Sequence, residues 1–274
     1  GRVVVAQGGR HPIVLFDFQK EYIKALLTQK VVIVNKPRQI GFSTISALFY
    51  IWEALFTPDA KIVIISINEN EAISFLSKVR IAFEEMPSEI FGKLKPGGDS
   101  AMKLVFETDS SIEVRASGPN AGRGLTPTRI MLDEAAFITR LKTATSIQED
   151  LANRIWTAIE PSLNMGGKAC ICSTSSGIGG WYYAMWHVAI EGTKHEGKYW
   201  AHGEKPEVGP NGMTPFVADW YDFQYKDGRK TYFQQYDQDW FNRQKEKYFL
   251  VELSFSSFSL VLLFLPVEPV LIVL

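Results

Sequence analysis

Three short stretches set small, acidic and basic residues at the ends of apolar runs, the arrangement that phosphate chemistry uses. The first is KPRQIGFST, Lys36 to Thr44. A phosphate-binding loop is usually written G-x-x-x-x-G-K-[ST], and the same eight positions here read KPRQIGFS. Lys36 stands where the first glycine belongs and Phe42 where the lysine belongs. Such a loop works because backbone N–H groups in a tight turn, together with the start of the next helix, face anionic oxygens. Gly41 keeps the glycine that lets the chain turn, and Ser43 keeps the hydroxyl that would ligate Mg²⁺. Lys36 lies at the opposite rim of the turn, from which its ammonium could reach the β/γ-phosphates. Phe42 is then free to pack, and a lysine moved from 36 to 42 should restore some function if charge matters more than position. Alone, the stretch also reads as an ordinary strand-to-helix loop with incidental cations.

The second stretch, IMLDE, delivers Asp133 and Glu134 to the end of an apolar strand about 90 residues downstream. Ligands bind at that end of open α/β sheets. Asp133 would hold the metal, directly or through water, and Glu134 would polarise an attacking water. The third, KACICSTSS, ends a strand in Ser173, Thr174, Ser175 and Ser176. Hydroxyls there could sense a γ-phosphate, although a serine-rich turn reads the same way.

These residues need a scaffold that brings strand ends together. Phe18, Tyr22, Ile23, Leu26 and Leu27 form a stripe at helical spacing, with Asp17 as its cap. Val31 to Val34 is a β-branched strand of the fully buried type. Ser43 to Leu55 is a helix stopped by Thr57-Pro58-Asp59; Lys61 to Ser66 is a second buried strand; Asn68 with Glu71 caps a further helix. The alternation predicts a mainly parallel α/β sheet flanked by helices. Met102 to Ala116 reads as a hairpin turning at Thr108-Asp109-Ser110, followed by a loop from Ser117 to Pro127. Leu151 to Ile159 is a helix, Lys168 to Ser173 a strand, Phe216 to Trp220 a short apolar piece and Asp237 to Phe249 helix-like.

Composition is that of an ordinary globular chain of 274 residues, 46% hydrophobic with a net charge of −1. No global basic field would draw nucleic acid, so such contacts must come from a local patch. Cys170 and Cys172, two apart on one strand, fit a reducing compartment, and no secretory leader is expected. Those cysteines with His187, His195 and His202 do not have the spacing of a zinc site. The aromatic run WYYAMWH, Trp181 to His187, could stack on bases but at helical spacing reads as core. From Val251 the chain is dense in Leu, Val and Phe, and Pro266 and Pro269 break any membrane-length run. A pair of buried strands about the Pro-Val-Glu-Pro turn, or an irregular end, is expected.

Together KPRQIGFST, IMLDEAAF and STSSG, with FDFQKEY before them, resemble the ATPase domain of the large terminase subunit, the DNA-packaging motor of tailed bacteriophages. The likeness runs from about Phe16 to Gly177 and implies a P-loop NTPase of the additional-strand, catalytic-glutamate type. It implies that Lys36 is the phosphate-binding lysine and that Arg38 reaches the γ-phosphate or couples its loss to movement. Pro37, Gln39, Ile40, Gly41, Phe42, Ser43 and Thr44 would complete the nucleotide loop. Gln19 would contact adenine, and Ser173, Thr174 and Ser175 would link hydrolysis to DNA movement. Arg123, in AGRGLT, would act on a neighbouring subunit's ATP. The cofactors implied are ATP and Mg²⁺, with Ser43 and Asp133 as metal ligands. The implied partners are double-stranded DNA held by its phosphates, a portal protein, a small terminase subunit and other copies in a ring, at the procapsid portal in the host cytoplasm.

The expected organisation is a motor domain over residues 1–250, with its core at about 16–177, and an apolar tail at 251–274. A complete large terminase would continue into a nuclease domain, so a motor domain alone or a shortened terminase is expected. Asp219, Asp222, Asp227, Asp237 and Asp239 are scattered as solvated acids, not set as a two-metal site. Two other functions fit the same residues: a helicase-like or repair ATPase on nucleic acid, and a nucleotide-binding scaffold that does not hydrolyse.

Overall fold

The structure is a computed structural model that describes residues 2–4, 10–12, 15–38, 40–86, 92–138, 150–193, 207–218, 251–255, 258–264 and 269–273. Two short N-terminal strands, β1 (Arg2–Val4) and β2 (Arg10–Pro12), pair antiparallel. Then come α1 (Asp17–Thr28), β3 (Val31–Asn35), α2 (Phe42–Phe56), β4 (Lys61–Ser66) and α3 (Glu69–Glu84). A meander follows, β5 (Leu94–Ser100), β6 (Lys103–Phe106) and β7 (Ser111–Ala116), and leads through a loop to β8 (Arg129–Asp133). The order closes with α4 (Leu151–Asn164), β9 (Lys168–Ser173), α5 (Gly180–Ile190) and β10 (Thr214–Val217).

These strands form one eight-stranded sheet in the order β10-β3-β9-β8-β4-β7-β6-β5. All neighbours from β10 to β7 run parallel, and only the β7–β6 and β6–β5 pairs are antiparallel. β9 lies between β3, which feeds the phosphate loop, and β8, which carries the acids. That inserted strand is the topology expected from sequence. Parallel strands need both faces covered, and two cores do so. One packs Val32, Val34, Ile64, Met131 and Cys172 under α1, α2 and α3; the other packs Ile33, Ile65, Leu132 and Ile171 under α4 and α5. No helix among the described residues is long and apolar enough to cross a membrane.

Several expectations change in detail. Asp17 is not the cap of α1; it is the first helical residue, and Phe16 occupies the cap position with its N–H donated to Gln19 Oε1 at 3.1 Å. α4 runs to Asn164, past the expected Ile159, and carries Pro161 inside it at the loss of one amide donor. The edge strand β5 carries Pro96, Gly97 and Gly98, poor strand formers, and its pairing with β6 shifts register between Leu94 and Asp99. β10 begins two residues before the expected piece, and Trp220 lies outside the described residues. So do the helix expected at 237–249, the five scattered aspartates, Gln39, His195 and His202. In the tail, β12 (Phe258–Phe264) and β13 (Pro269–Val273) pair antiparallel, with β11 (Val251–Phe255) as a third strand, and residues 265–268, where the turn was expected, lie outside the described residues.

At the end of the sheet away from the loops, Arg129 opens β8 against α1 and α2. Its guanidinium donates to Glu53 at 2.7 Å and to the Leu26 carbonyl at 2.6 Å, and lies 5.2 Å from the Phe49 ring centre. The pair is nearly buried, so removing one partner strands the other charge in a site of low dielectric. Glu53→Ala is therefore expected to cost about 3 kcal/mol in urea denaturation, and a loss below about 1 kcal/mol would show that water reaches the pair.

Candidate ATP site

The carboxyl ends of β3, β9, β8 and β4 meet at one edge, and register decides which residues face one another. Asn35 of β3 sits opposite Ser173 of β9, and Cys172 opposite both Val34 and Asp133. Lys36, Asp133, Glu134 and Thr174 therefore converge. Lys36 Nζ donates to Glu134 Oε1 at 2.6 Å, and Glu134 Oε2 accepts from the Thr174 backbone N–H at 3.1 Å and hydroxyl at 3.2 Å. The relocated lysine, buried, and the acid of IMLDE, half-buried, form one ion pair, held in turn by the third strand.

Electrostatics keep both partners charged. Burial works against the Lys36 ammonium, but Cys172 and the paired Glu134 outweigh it and raise the lysine pKa. Burial pushes the Cys172 thiol itself well up, so at neutral pH the sulfur is uncharged and Glu134 is the working counter-charge. Burial likewise opposes the Glu134 carboxylate, yet Lys36 and the Thr174 donors hold its pKa below the usual value. The Glu134 backbone is in the left-handed region, φ 54° and ψ 47°, which only few side chains adopt without cost. The turn aims its carboxylate across β9 towards Lys36.

The loop itself is built to leave donors exposed. Gly41 turns at φ 84°, and a Cβ there would meet Gln19 Nε2 at 3.1 Å. Gly41 at the cap position has no side chain, so among the described residues the first N–H groups of α2 face the loop without a side-chain cap, the condition for anion binding. Ile40 and Phe42 turn their side chains into the core, leaving only their backbones to line the loop. Phe42, 2% exposed, packs 4.6 Å from Tyr22 and 6.0 Å from Phe216 between ring centres. A lysine at 42 would start inside this aromatic cluster, so moving the cation there is no simple exchange. Pro37, Ser43 and Thr44 are half-buried at the loop, and Arg38 is exposed with its guanidinium 5.8 Å from the Phe137 ring centre.

Gln19 is tied to this loop: its Nε2 donates to the Ile40 carbonyl at 3.2 Å while Oε1 accepts from the Phe16 N–H at 3.1 Å. Ser173 Oγ accepts from the Ala136 N–H at 3.1 Å, and Ser175 donates to Asn35 Oδ1 at 3.1 Å. Arg123 is exposed in its turn, its N–H donated to the Asn120 carbonyl at 3.0 Å, and no hydrogen bond or ion pair joins it to the Lys36 cluster among the described residues. Its loop is fixed by Gly122, where a Cβ would collide with the Ile155 carbonyl of α4 at 2.8 Å. Sequence reasoning passed over Asn35, Phe137 and Ser66. A polar residue ending a β-branched run was the available signal for Asn35 and Ser66, and nothing local marks Phe137. Cys170 and Cys172 are free, buried thiols.

Asp133 carries the test of a metal. Its Oδ1 is buried without a hydrogen-bond partner among the described residues, an acceptor that a cation or its water would satisfy. With Ser43 on the facing loop, the donor set is all oxygen, as Mg²⁺ requires. The residues fit the ion.

The strand order and the loop define a P-loop NTPase fold. More closely, the fold is that of the phage large terminase ATPase domains. The large terminase ATPase domain of Thermus phage P74-26 aligns at a TM-score of 0.56 and 19% identity, over 86% of this chain and 88% of that one. The large terminase of bacteriophage HK97 aligns at 0.58 and 16% identity, over 89% of this chain and 49% of that protein. The large terminase of a thermophilic bacteriophage, in complex with ATP-gamma-S, aligns at 0.52 and 10% identity, over 86% of this chain and 50% of that one. No protein-family model matches the chain.

Burial, then the adjacent Glu134 carboxylate, pushes the Asp133 pKa from 3.8 to about 6. An acid raised in this way supports the fold when protonated and withdraws that support as pH rises through 6. Asp133→Asn should therefore stabilise the metal-free protein by about 2 kcal/mol near pH 8, with the gain fading towards pH 4. Urea denaturation across that range checks it; a gain that does not vary with pH would mean that the carboxylate is not burdened by its site.

Proposed function

We propose that this chain is the ATP-hydrolysing motor part of a phage DNA-packaging terminase. The observation that carries the reading is the Lys36–Glu134–Thr174 cluster, which joins an altered phosphate loop to a strand-end glutamate across the inserted strand β9. The solved terminase bound to ATP-gamma-S supports ATP as the ligand.

Without nucleotide, Lys36 and Glu134 neutralise each other. A γ-phosphate offers Lys36 a stronger anion, and the ammonium turns to the phosphate oxygens. Glu134 then keeps its anchor on Thr174 through Oε2, while Oε1 is released to accept a hydrogen bond from water. That water attacks the γ-phosphorus in line as the bond to the bridging oxygen breaks, leaving ADP and phosphate. Mg²⁺, held by Ser43 and Asp133, would neutralise charge on the β- and γ-oxygens. Arg38 reaches the γ-phosphate from its place over Phe137, Gln19 turns towards adenine, and Arg123 serves a neighbouring subunit's site. Ser173, Thr174 and Ser175 pass the change at Glu134 to Asn35 and the loop, and so to DNA held by its phosphates. The motor spans residues 1–250, with 251–274 as a separate tail. A portal protein, a small terminase subunit and further copies in a ring complete the assembly at the procapsid, in the host cytoplasm.

Phosphate release by the purified chain tests the site. Lys36→Ala and Glu134→Gln should each lower turnover by at least about a hundredfold, while wild-type turnover in both would remove the assignment. Adding Phe42→Lys to Lys36→Ala should not restore hydrolysis, and should lower stability by about 3 kcal/mol as the aromatic cluster opens. Recovery of activity in that double variant would show that the position of the cation is immaterial.

A further inference from the structure

Two buried polar atoms near the loop have no hydrogen-bond partner among the described residues, and they lie on adjacent strand tips. They are Asp133 Oδ1 at the end of β8 and Ser66 Oγ at the end of β4. β4 and β8 pair in parallel with Ile65 opposite Leu132, so Ser66 and Asp133, one residue further along each strand, stand side by side. The pleat fixes their direction: Ile64 and Met131, two residues back, belong to the core under α2, so both side chains project to that face. α2 begins at the phosphate loop, next to Ser43. Ser66 is 1% exposed and Asp133 9%, too buried for bulk water to satisfy either atom. Nearly every buried polar group in a protein is paired, so two neighbouring exceptions aimed at one place point to something that binds there.

We propose that Ser66 is a positioning residue for the metal of the ATP site: its hydroxyl and Asp133 together hold water in the shell of the divalent cation that arrives with the nucleotide. Mg²⁺ gives up its waters reluctantly and commonly keeps several beside one or two protein ligands. Groups that hold those waters fix the ion almost as firmly as direct ligands do. A serine suits the task because its hydroxyl can accept from one group and donate to another. The inference rests on the ATP-binding reading above and adds a residue to it.

A structural serine and a metal-positioning serine respond oppositely to Ser66→Ala. Removing a hydroxyl that makes hydrogen bonds in the fold destabilises it; removing one that has no partner does not. The experiment measures binding of a fluorescent ATP analogue to wild type and Ser66→Ala, in EDTA and across a Mg²⁺ titration, together with thermal unfolding of the apoproteins. Ser66→Ala is expected to melt no lower than wild type and to bind the analogue equally in EDTA, but to need about tenfold more Mg²⁺ for tight binding. The same substitution in an Asp133→Ala background should add little further. An unchanged Mg²⁺ requirement, or a lower melting temperature with equal losses in Mg²⁺ and EDTA, overturns the proposal. Failure of the wild type to bind the analogue in either condition overturns instead the ATP-binding reading itself.

Discussion

One short contact organises the site: the ammonium of Lys36 against the carboxylate of Glu134, 2.6 Å apart and largely shielded from water. Burying two charges is expensive, and their mutual attraction offsets the expense only when the geometry is good and the remaining lone pairs are satisfied. Thr174 supplies that satisfaction from a third strand. The three residues come from segments far apart in the chain, so the pair exists only when the sheet is in register. Alignment of β3, β9 and β8 is thus a precondition for this ion pair as well as for the core.

The same contact ties electrostatics to response. In a low-dielectric site an ion pair is replaced readily only by another charge of the same sign as the partner being displaced. A phosphate oxygen is such a charge; a neutral ligand is not. On the proposed ATP-binding reading, an occupied loop differs from an empty one in the anion that Lys36 faces, beside β9. The Asn35–Ser175 and Ala136–Ser173 hydrogen bonds join all three strand tips into one unit.

Much of this was legible in the sequence, for a physical reason. Buried parallel strands announce themselves as β-branched runs, and KIVIIS and KACICS begin and end where the structure has them, at Lys61–Ser66 and Lys168–Ser173. The hairpin about Asp109 was equally clear, because a two-residue period ending in turn residues has few other readings. Side-chain partnerships between distant segments were not. Nothing in FDFQ says that Gln19 spends its amide on Phe16 and Ile40, since only the folded approach of α1 to the loop creates that bond. β5 was hidden by Pro96 and the following glycines, which are tolerated because the strand is an edge. Ser66 showed in the sequence only as a polar end to a β-branched run; that its hydroxyl is unpaired among the described residues emerges only when its neighbours are in place.

The left-handed backbone at Glu134 limits what can stand there. By backbone preference alone the position favours glycine, asparagine or aspartate, in which this conformation is least strained. Each of these forfeits reach: aspartate and asparagine fall one methylene short, and glycine has no side chain. Tolerance to mutation at position 134 should therefore differ according to what is selected. A screen for folded protein alone would admit the shorter residues, while a screen for the proposed hydrolysis would keep glutamate.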